Sequence, residues 1–190
     1  MKRLFCAVKV PVNETIEEVI NAYRQELAEA RISWVSPQNL HLTLKFFGDT
    51  PSQDIPAIQE ALHLSAFEMP PFNFTVEGCG TFGSLRQPNV IWLGIRNAKM
   101  LTALYHSLNT HLEPLGYVPD KKLFTPHLTI GRIKSISDTL TLRTLESEYS
   151  AETFATIRTE SFFLMESFLR PQGPIYNVVE EFKLGEGQRA

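Results

Sequence analysis

The stretch PQNLHLTLKFFG, residues 37–48, decides how this chain is read. Residues 40–47 have the apolar and aromatic composition of a β-strand, and Gly48-Asp49 punctuates its end. Along a strand, residues i and i+2 share a face. His41 and Thr43 therefore point one way, and Leu42 and Leu44 the other. By the same alternation Lys45 joins the His41 face and Phe46 joins the leucines. A histidine and a threonine paired in this way are either polar residues tolerated by a core or one wall of a reactive site.

The chain repeats the pattern. His41-Leu42-Thr43-Leu44 recurs as His127-Leu128-Thr129-Ile130. Both copies have the form H-x-T-x with aliphatic residues at both x positions, and both follow a proline-containing approach. Each presents an imidazole and a hydroxyl on one face and anchors them with an aliphatic back. Brought together, two such strands converge two imidazoles and two hydroxyls on one small volume. That set suits a phosphodiester. One neutral imidazole accepts a proton from an attacking oxygen and one imidazolium donates a proton to the leaving oxygen, since a pKa near 6.5 keeps both forms within reach at neutral pH. The threonine hydroxyls donate hydrogen bonds to the nonbridging phosphate oxygens. The scheme needs no metal and no cofactor, and no C-x-x-C or acidic cluster stands at metal-ligand spacing.

The remainder of the chain sets limits on the reading. A length of 190 residues suits a single, bilobal unit over 1–184, with a short disordered tail at 185–190. A net charge of −3 announces no global nucleic-acid field, although it leaves room for a local basic groove. Two cysteines, Cys6 and Cys79, make no disulfide framework, and both sit in apolar contexts. The expectation is reduced thiols in a cytoplasmic protein. No apolar stretch is long enough to span a bilayer, and Lys9 and Pro11 end the N-terminal apolar run too early for a signal peptide. No coiled-coil pattern or apolar surface stripe argues for more than a monomer.

Strands are expected at 3–10, 32–35, 72–76, 90–95, 127–133, 156–165 and 175–182. Helices are expected at 14–30, opened by a Thr15–Glu18 capping box, at 53–66, from Met100 to near Gly116, and at 137–147. The segment GCGTFGS, residues 78–84, reads as a glycine-rich loop, without the lysine of a phosphate-binding loop or the spacing of a dinucleotide fingerprint. Strands and helices without strict alternation indicate an α+β chain with mostly antiparallel sheet. His63, His106 and His111 fall on helices with no partnering pattern and read as surface or core residues.

The paired motifs, with RLFCAVKVP, WVSPQNLHLTLKFFGD, GTFG followed by VIWLGI, LEPLGY, FTPHLTIGR, and the late FLMESFL and IYNVVEEF, resemble the 2H phosphoesterase superfamily. Within it the chain is most similar to the RNA 2′,3′-cyclic phosphodiesterases, also called the 2′-5′ RNA ligase family. The resemblance covers nearly the whole chain. It implies a bilobal fold of two antiparallel sheets with outer helices and the motifs lining a central cleft. It implies hydrolysis of an RNA terminal 2′,3′-cyclic phosphate to a 2′-phosphomonoester, with His41 as proton donor and His127 as proton acceptor. Thr43 and Thr129 would bind phosphate, and some relatives run the reverse 2′-5′ ligation. Nothing in the residues themselves distinguishes acid from base. Arg132 is a candidate phosphate partner, but strict alternation sets it opposite His127, so a twist or bulge would be needed. Lys45 is a candidate at the cleft rim. Phe46 either stacks on substrate or packs in the core, its alternation favouring the core. Tyr176 either lines the cleft or is a core tyrosine. The competing readings are a 2H phosphodiesterase for another substrate, such as a 2′-5′ oligonucleotide or a small cyclic nucleotide, a protein that binds RNA ends without turnover, and a metal hydrolase.

Overall fold

The N-terminal apolar run forms a central strand, as its composition implies. In the computed structural model, which describes residues 1–84, 86–119, 121–170 and 173–185, β1 (Lys2–Lys9) pairs on one side with β3 (His41–Thr50). On the other side it pairs with β8 (Ser161–Phe168), and β9 (Ile175–Lys183) completes a four-stranded sheet of order β3-β1-β8-β9. A second, five-stranded sheet has the order β2-β6-β5-β4-β7, built from β2 (Arg31–Trp34), β6 (His127–Ser135), β5 (Pro88–Arg96), β4 (Phe72–Gly83) and β7 (Thr153–Thr159). Every pairing is antiparallel. The expected α+β class and two-sheet architecture are what the chain adopts, and each sheet carries one H-x-T-x strand.

Among the described residues, four α-helices join these strands: α1 (Glu14–Glu26), α2 (Ile55–Glu68), α3 (Lys99–Leu112) and α4 (Thr139–Glu148). α2 packs against α3, β8 and β9, whereas α1 packs against β7 and α4. No helix among the described residues is long and apolar enough to cross a membrane. The chain passes between sheets after β1, β2, β3 and β7. The last crossing divides the strand expected over 156–165. Glu160 separates β7 from β8, and the two halves belong to different sheets.

Local chemistry accounts for other departures. α1 is capped by Asn13, whose Oδ1 accepts from the Ile16 amide at 2.9 Å, so the Thr15 capping box is not used. It ends at Glu26, and Leu27 supplies the C-cap. The glycine-rich segment 78–84 is not a loop; residues 78–83 are the second half of β4. Its glycines serve close approach. A Cβ on Gly80 would stand 2.6 Å from Trp92 Cζ2 on the neighbouring strand. β3 also runs past Gly48, at φ +75, to Thr50. The tail from 186 lies outside the described residues.

One continuous apolar core joins the backs of both sheets: Leu4, Cys6, Val8, Leu42 and Leu44 from the first, Ile91, Leu93, Leu128 and Ile130 from the second. Leu42 and Leu128 are 1% and 0% exposed, each contributing roughly 1.5–3 kcal/mol by burial. They anchor the two motifs, whose histidines and threonines lie on the other faces. Both cysteines are free thiols, Cys6 fully buried.

Candidate active site

The two motifs share a backbone device that alternation alone does not reveal. In β3, Thr43 lies opposite Ala7 and Lys45 opposite Cys6, so Leu44 is an extra residue, a β-bulge. In β6, Thr129 lies opposite Trp92 and Gly131 opposite Ile91, so Ile130 is extra in the same way. Each bulge puts two consecutive residues on the core side and resets the face of the residues after it. Leu44 and Lys45 are 3% and 5% exposed. Phe46 then emerges opposite Phe5, on the Thr43 face, and Arg132 emerges on the Thr129 face.

This corrects two expectations and resolves a third. Lys45 is not at a cleft rim. Its ammonium is buried and donates to Asn109 Oδ1 at 3.2 Å and to the Val118 carbonyl at 2.5 Å. It ties β3 to α3 and to the segment leading into His127. Phe46 is not core. It is 49% exposed, with the Arg3 guanidinium 4.8 Å from its ring centroid. Arg132 gains the His127 face through the bulge that alternation required. Residues of β3 and β6 approach within 8 Å, Cα to Cα, which brings the two motif strands together across the sheets.

The imidazoles are held alike. His41 Nδ1 lies 2.7 Å from the Asn39 carbonyl oxygen, and His127 Nδ1 lies 2.7 Å from the Thr125 carbonyl oxygen. A carbonyl only accepts, so Nδ1 carries the proton in each ring and Nε2 is left for chemistry. Both carbonyls belong to the residue two before the histidine, in the proline-containing approaches SPQN and TPH.

Aromatic rings set the surroundings. Phe5 lies 5.0 Å and Tyr176 5.3 Å from the His41 ring, centroid to centroid, and the two aromatics lie 5.0 Å from each other. Tyr176 is thus beside the motif, with Phe5, Ala7, Met165 and Phe163 forming a small apolar cluster on that face. The edge-on Phe82 ring lies 4.7 Å from His127 and packs 5.4 Å from Trp92. Reasoning from the sequence does not reach Phe5 and Phe82. The alternation of β1 against His41 and the position of Phe82 in GTFG are the signals that could have found them. Trp92 lies opposite Thr129, and its indole Nε1 is buried without a hydrogen-bond partner among the described groups.

The electrostatic surroundings act on His41. Burial, first, and the nearby Arg132 guanidinium push the His41 pKa below its ordinary value, while its bond to the Asn39 carbonyl opposes them. His41 is therefore neutral near pH 7 in the unliganded protein. Burial raises the Tyr176 phenol, and Arg132 partly offsets this. Arg132, in the other sheet, thus acts on both groups. Among the described residues, no three His, Cys, Asp or Glu side chains gather as metal ligands.

Comparison with known proteins adds to this geometry. The sequence profile described as LigT-like phosphoesterase matches residues 8–92 and, separately, residues 94–176. The chain belongs to the LigT-like phosphoesterase family. The two matches each contain one H-x-T-x motif, in keeping with the twinned bulges and twinned Nδ1 anchors. Relatives in the family include an RNA 2′,3′-cyclic phosphodiesterase of Archaeoglobus fulgidus, 35% identical over 95% of this chain and 99% of the relative. Another, of Aquifex aeolicus, is 37% identical over 91% of this chain and 93% of the relative. Among solved structures, TT0787 of Thermus thermophilus superposes with a TM-score of 0.77 at 28% identity, covering 96% of this chain and 98% of that one. The fold is also that of Escherichia coli LigT complexed with 3′-AMP, with a TM-score of 0.70 at 24% identity, covering 97% and 98%.

Proposed function

We propose that the protein hydrolyses the 2′,3′-cyclic phosphate at an RNA end to a 2′-phosphomonoester, by acid–base catalysis between two histidines and without a metal. The observation that carries this reading is the twinned anchoring of His41 and His127 through Nδ1, which leaves both Nε2 atoms for chemistry on the strand faces that also carry Thr43 and Thr129. The names of the family relatives supply the substrate class.

In this mechanism Thr43 and Thr129 donate hydrogen bonds to the nonbridging oxygens of the cyclic phosphate. The lone pair of His127 Nε2 takes a proton from water as the water oxygen bonds to phosphorus. His41 Nε2–H gives its proton to O3′ as the P–O3′ bond breaks. His41 must therefore be protonated in the complex, although it is neutral in the free protein. The phosphate anion supplies the difference, because a negative charge beside a buried imidazole favours its cationic form. Arg132, on the Thr129 face, adds positive charge where the phosphoryl oxygens gather. With an RNA 5′-hydroxyl in place of water as the nucleophile, the same two roles, His127 as base and His41 as acid to O3′, give 2′-5′ joining. Tyr176 and Phe5 hold the His41 ring in place.

The test is product analysis on a short RNA ending in 2′,3′-cyclic phosphate, in excess chelator. The expected product carries only a 2′-phosphate. A 3′-phosphate product would reverse the leaving-group assignment. Binding without opening would favour an RNA-end binding protein, and loss of activity restored by zinc would overturn the metal-free scheme.

A further inference from the structure

The catalytic face of the first sheet continues beyond the motif. Phe5 and Arg3 follow Ala7 on the same face of β1 at two-residue steps. Arg3 is four residues from Ala7, which is opposite Thr43, a distance of about 13 Å at the strand rise. There the surface opens into a cavity of about 440 Å³ bordered by Arg3, Arg170, Ser167, Asp49 and Glu166. Lys2 binds Glu166 at 2.8 Å and cancels its charge, leaving two guanidinium groups against the one carboxylate of Asp49. The Arg3 guanidinium lies over the Phe46 ring, 4.8 Å from its centroid. The proposed reaction has no use for these groups.

The geometry points to a subsite for the RNA backbone: the Arg3–Arg170 cavity binds a phosphate a nucleotide or two upstream of the terminal cyclic phosphate, so the protein selects oligonucleotide ends over free cyclic mononucleotides. This rests on the reading of the site as a cyclic-phosphate hydrolase and names the substrate length it takes. Guanidinium pairs suit phosphate because they bind two oxygens at once. Between Thr43 and Arg3 the floor is apolar, with Phe5, Met165 and Tyr176, and such a floor tolerates any base. The other exit, past Lys9, is less suited. Its cavity of about 450 Å³ is lined mostly by Val10, Pro11, Val12, Pro37 and Leu40, and the Lys9 ammonium sits 4.3 Å from the Phe163 centroid.

The test compares uridine 2′,3′-cyclic phosphate with di- and trinucleotides ending in the same group. For the unaltered protein kcat/KM should rise at least tenfold from mononucleotide to trinucleotide. In Arg3→Gln combined with Arg170→Gln the rise should disappear, while the mononucleotide rate stays within twofold. The log–log salt dependence for the trinucleotide should flatten by about 0.7 for each phosphate that the double variant no longer neutralises. Calorimetric binding of a 2′-phosphorylated trinucleotide should weaken in parallel. Equal loss on both lengths, a length effect that survives the double substitution, or one lost instead in Lys9→Gln would overturn the subsite. Should the protein open neither substrate yet bind the trinucleotide in an Arg3-dependent way, the hydrolase reading fails and the subsite stands. Should it open both lengths equally well, the subsite fails and the hydrolase reading stands.

Discussion

Gly80→Ala tests whether the second motif is positioned by close packing in the β4–β5–β6 layer. A Cβ at residue 80 would stand 2.6 Å from Trp92 Cζ2 and 2.8 Å from Cη2. Carbon atoms rest at about 3.5–4.0 Å, so the indole must retreat by about 1 Å. The backbone of Gly80 is not left-handed, so overpacking is the cost, about 1–3 kcal/mol. The ring has little room to move. It lies opposite Thr129 and 5.4 Å from Phe82, whose ring packs 4.7 Å from His127. A displacement of about 1 Å passed to a reacting group can lower the rate by as much as about 100-fold. The assay is urea denaturation together with kcat/KM on cyclic-phosphate RNA. Trp92→Phe removes the clashing ring and the unpaired indole N–H, so the double variant should recover much of the lost stability, a non-additivity of at least about 0.5 kcal/mol. Additive losses, or Gly80→Ala with unchanged stability and activity, would refute the packing argument.

Three further outcomes concern the site and the core. Arg132→Met removes a cation that lowers the His41 pKa, so that pKa should rise, read by NMR titration of the ring protons, and the alkaline limb of kcat/KM should move to higher pH if His41 is the acid. Lys45→Met leaves Asn109 Oδ1 and the Val118 carbonyl without the ammonium donor and should cost on the order of 2 kcal/mol in denaturation midpoint analysis, with faster amide exchange over 117–119 and 121–126. Cys6, fully buried, has its thiol pushed far above the ordinary range, so it should resist a thiol reagent in the native protein and react on unfolding.

The two H-x-T-x segments are legible because strand periodicity and repetition act locally. Alternation correctly sets His41 and Thr43 against Leu42 and Leu44, and the same for the second copy. It fails one residue later in both motifs, because a bulge is a property of the pairing between strands and leaves no mark in one strand's own sequence. Lys45 and Phe46 exchange places for that reason, and Arg132 can be placed only conditionally. The glycines of 78–83 read as a loop because what they make room for, Trp92 at Gly80 and the Ser150 backbone at Gly78, comes later in the chain. The long β run at 156–165 hides a change of sheet at Glu160 that only the topology exposes. The tyrosine and phenylalanine beside His41 come from β9 and β1, distant in sequence, so their convergence is a result of the fold.

The central claim is that His41 and His127 act as one acid–base pair. The direct measurement is single-turnover opening of an RNA 2′,3′-cyclic phosphate, in excess chelator, by His41→Ala, His127→Ala and the double variant, with folding checked by denaturation. Each single change should lower the rate by about 100-fold or more, and the double should be little worse than either single, because groups that act as a unit lose their effect together. A single variant that keeps near-normal turnover, or losses that multiply in the double, would contradict the account.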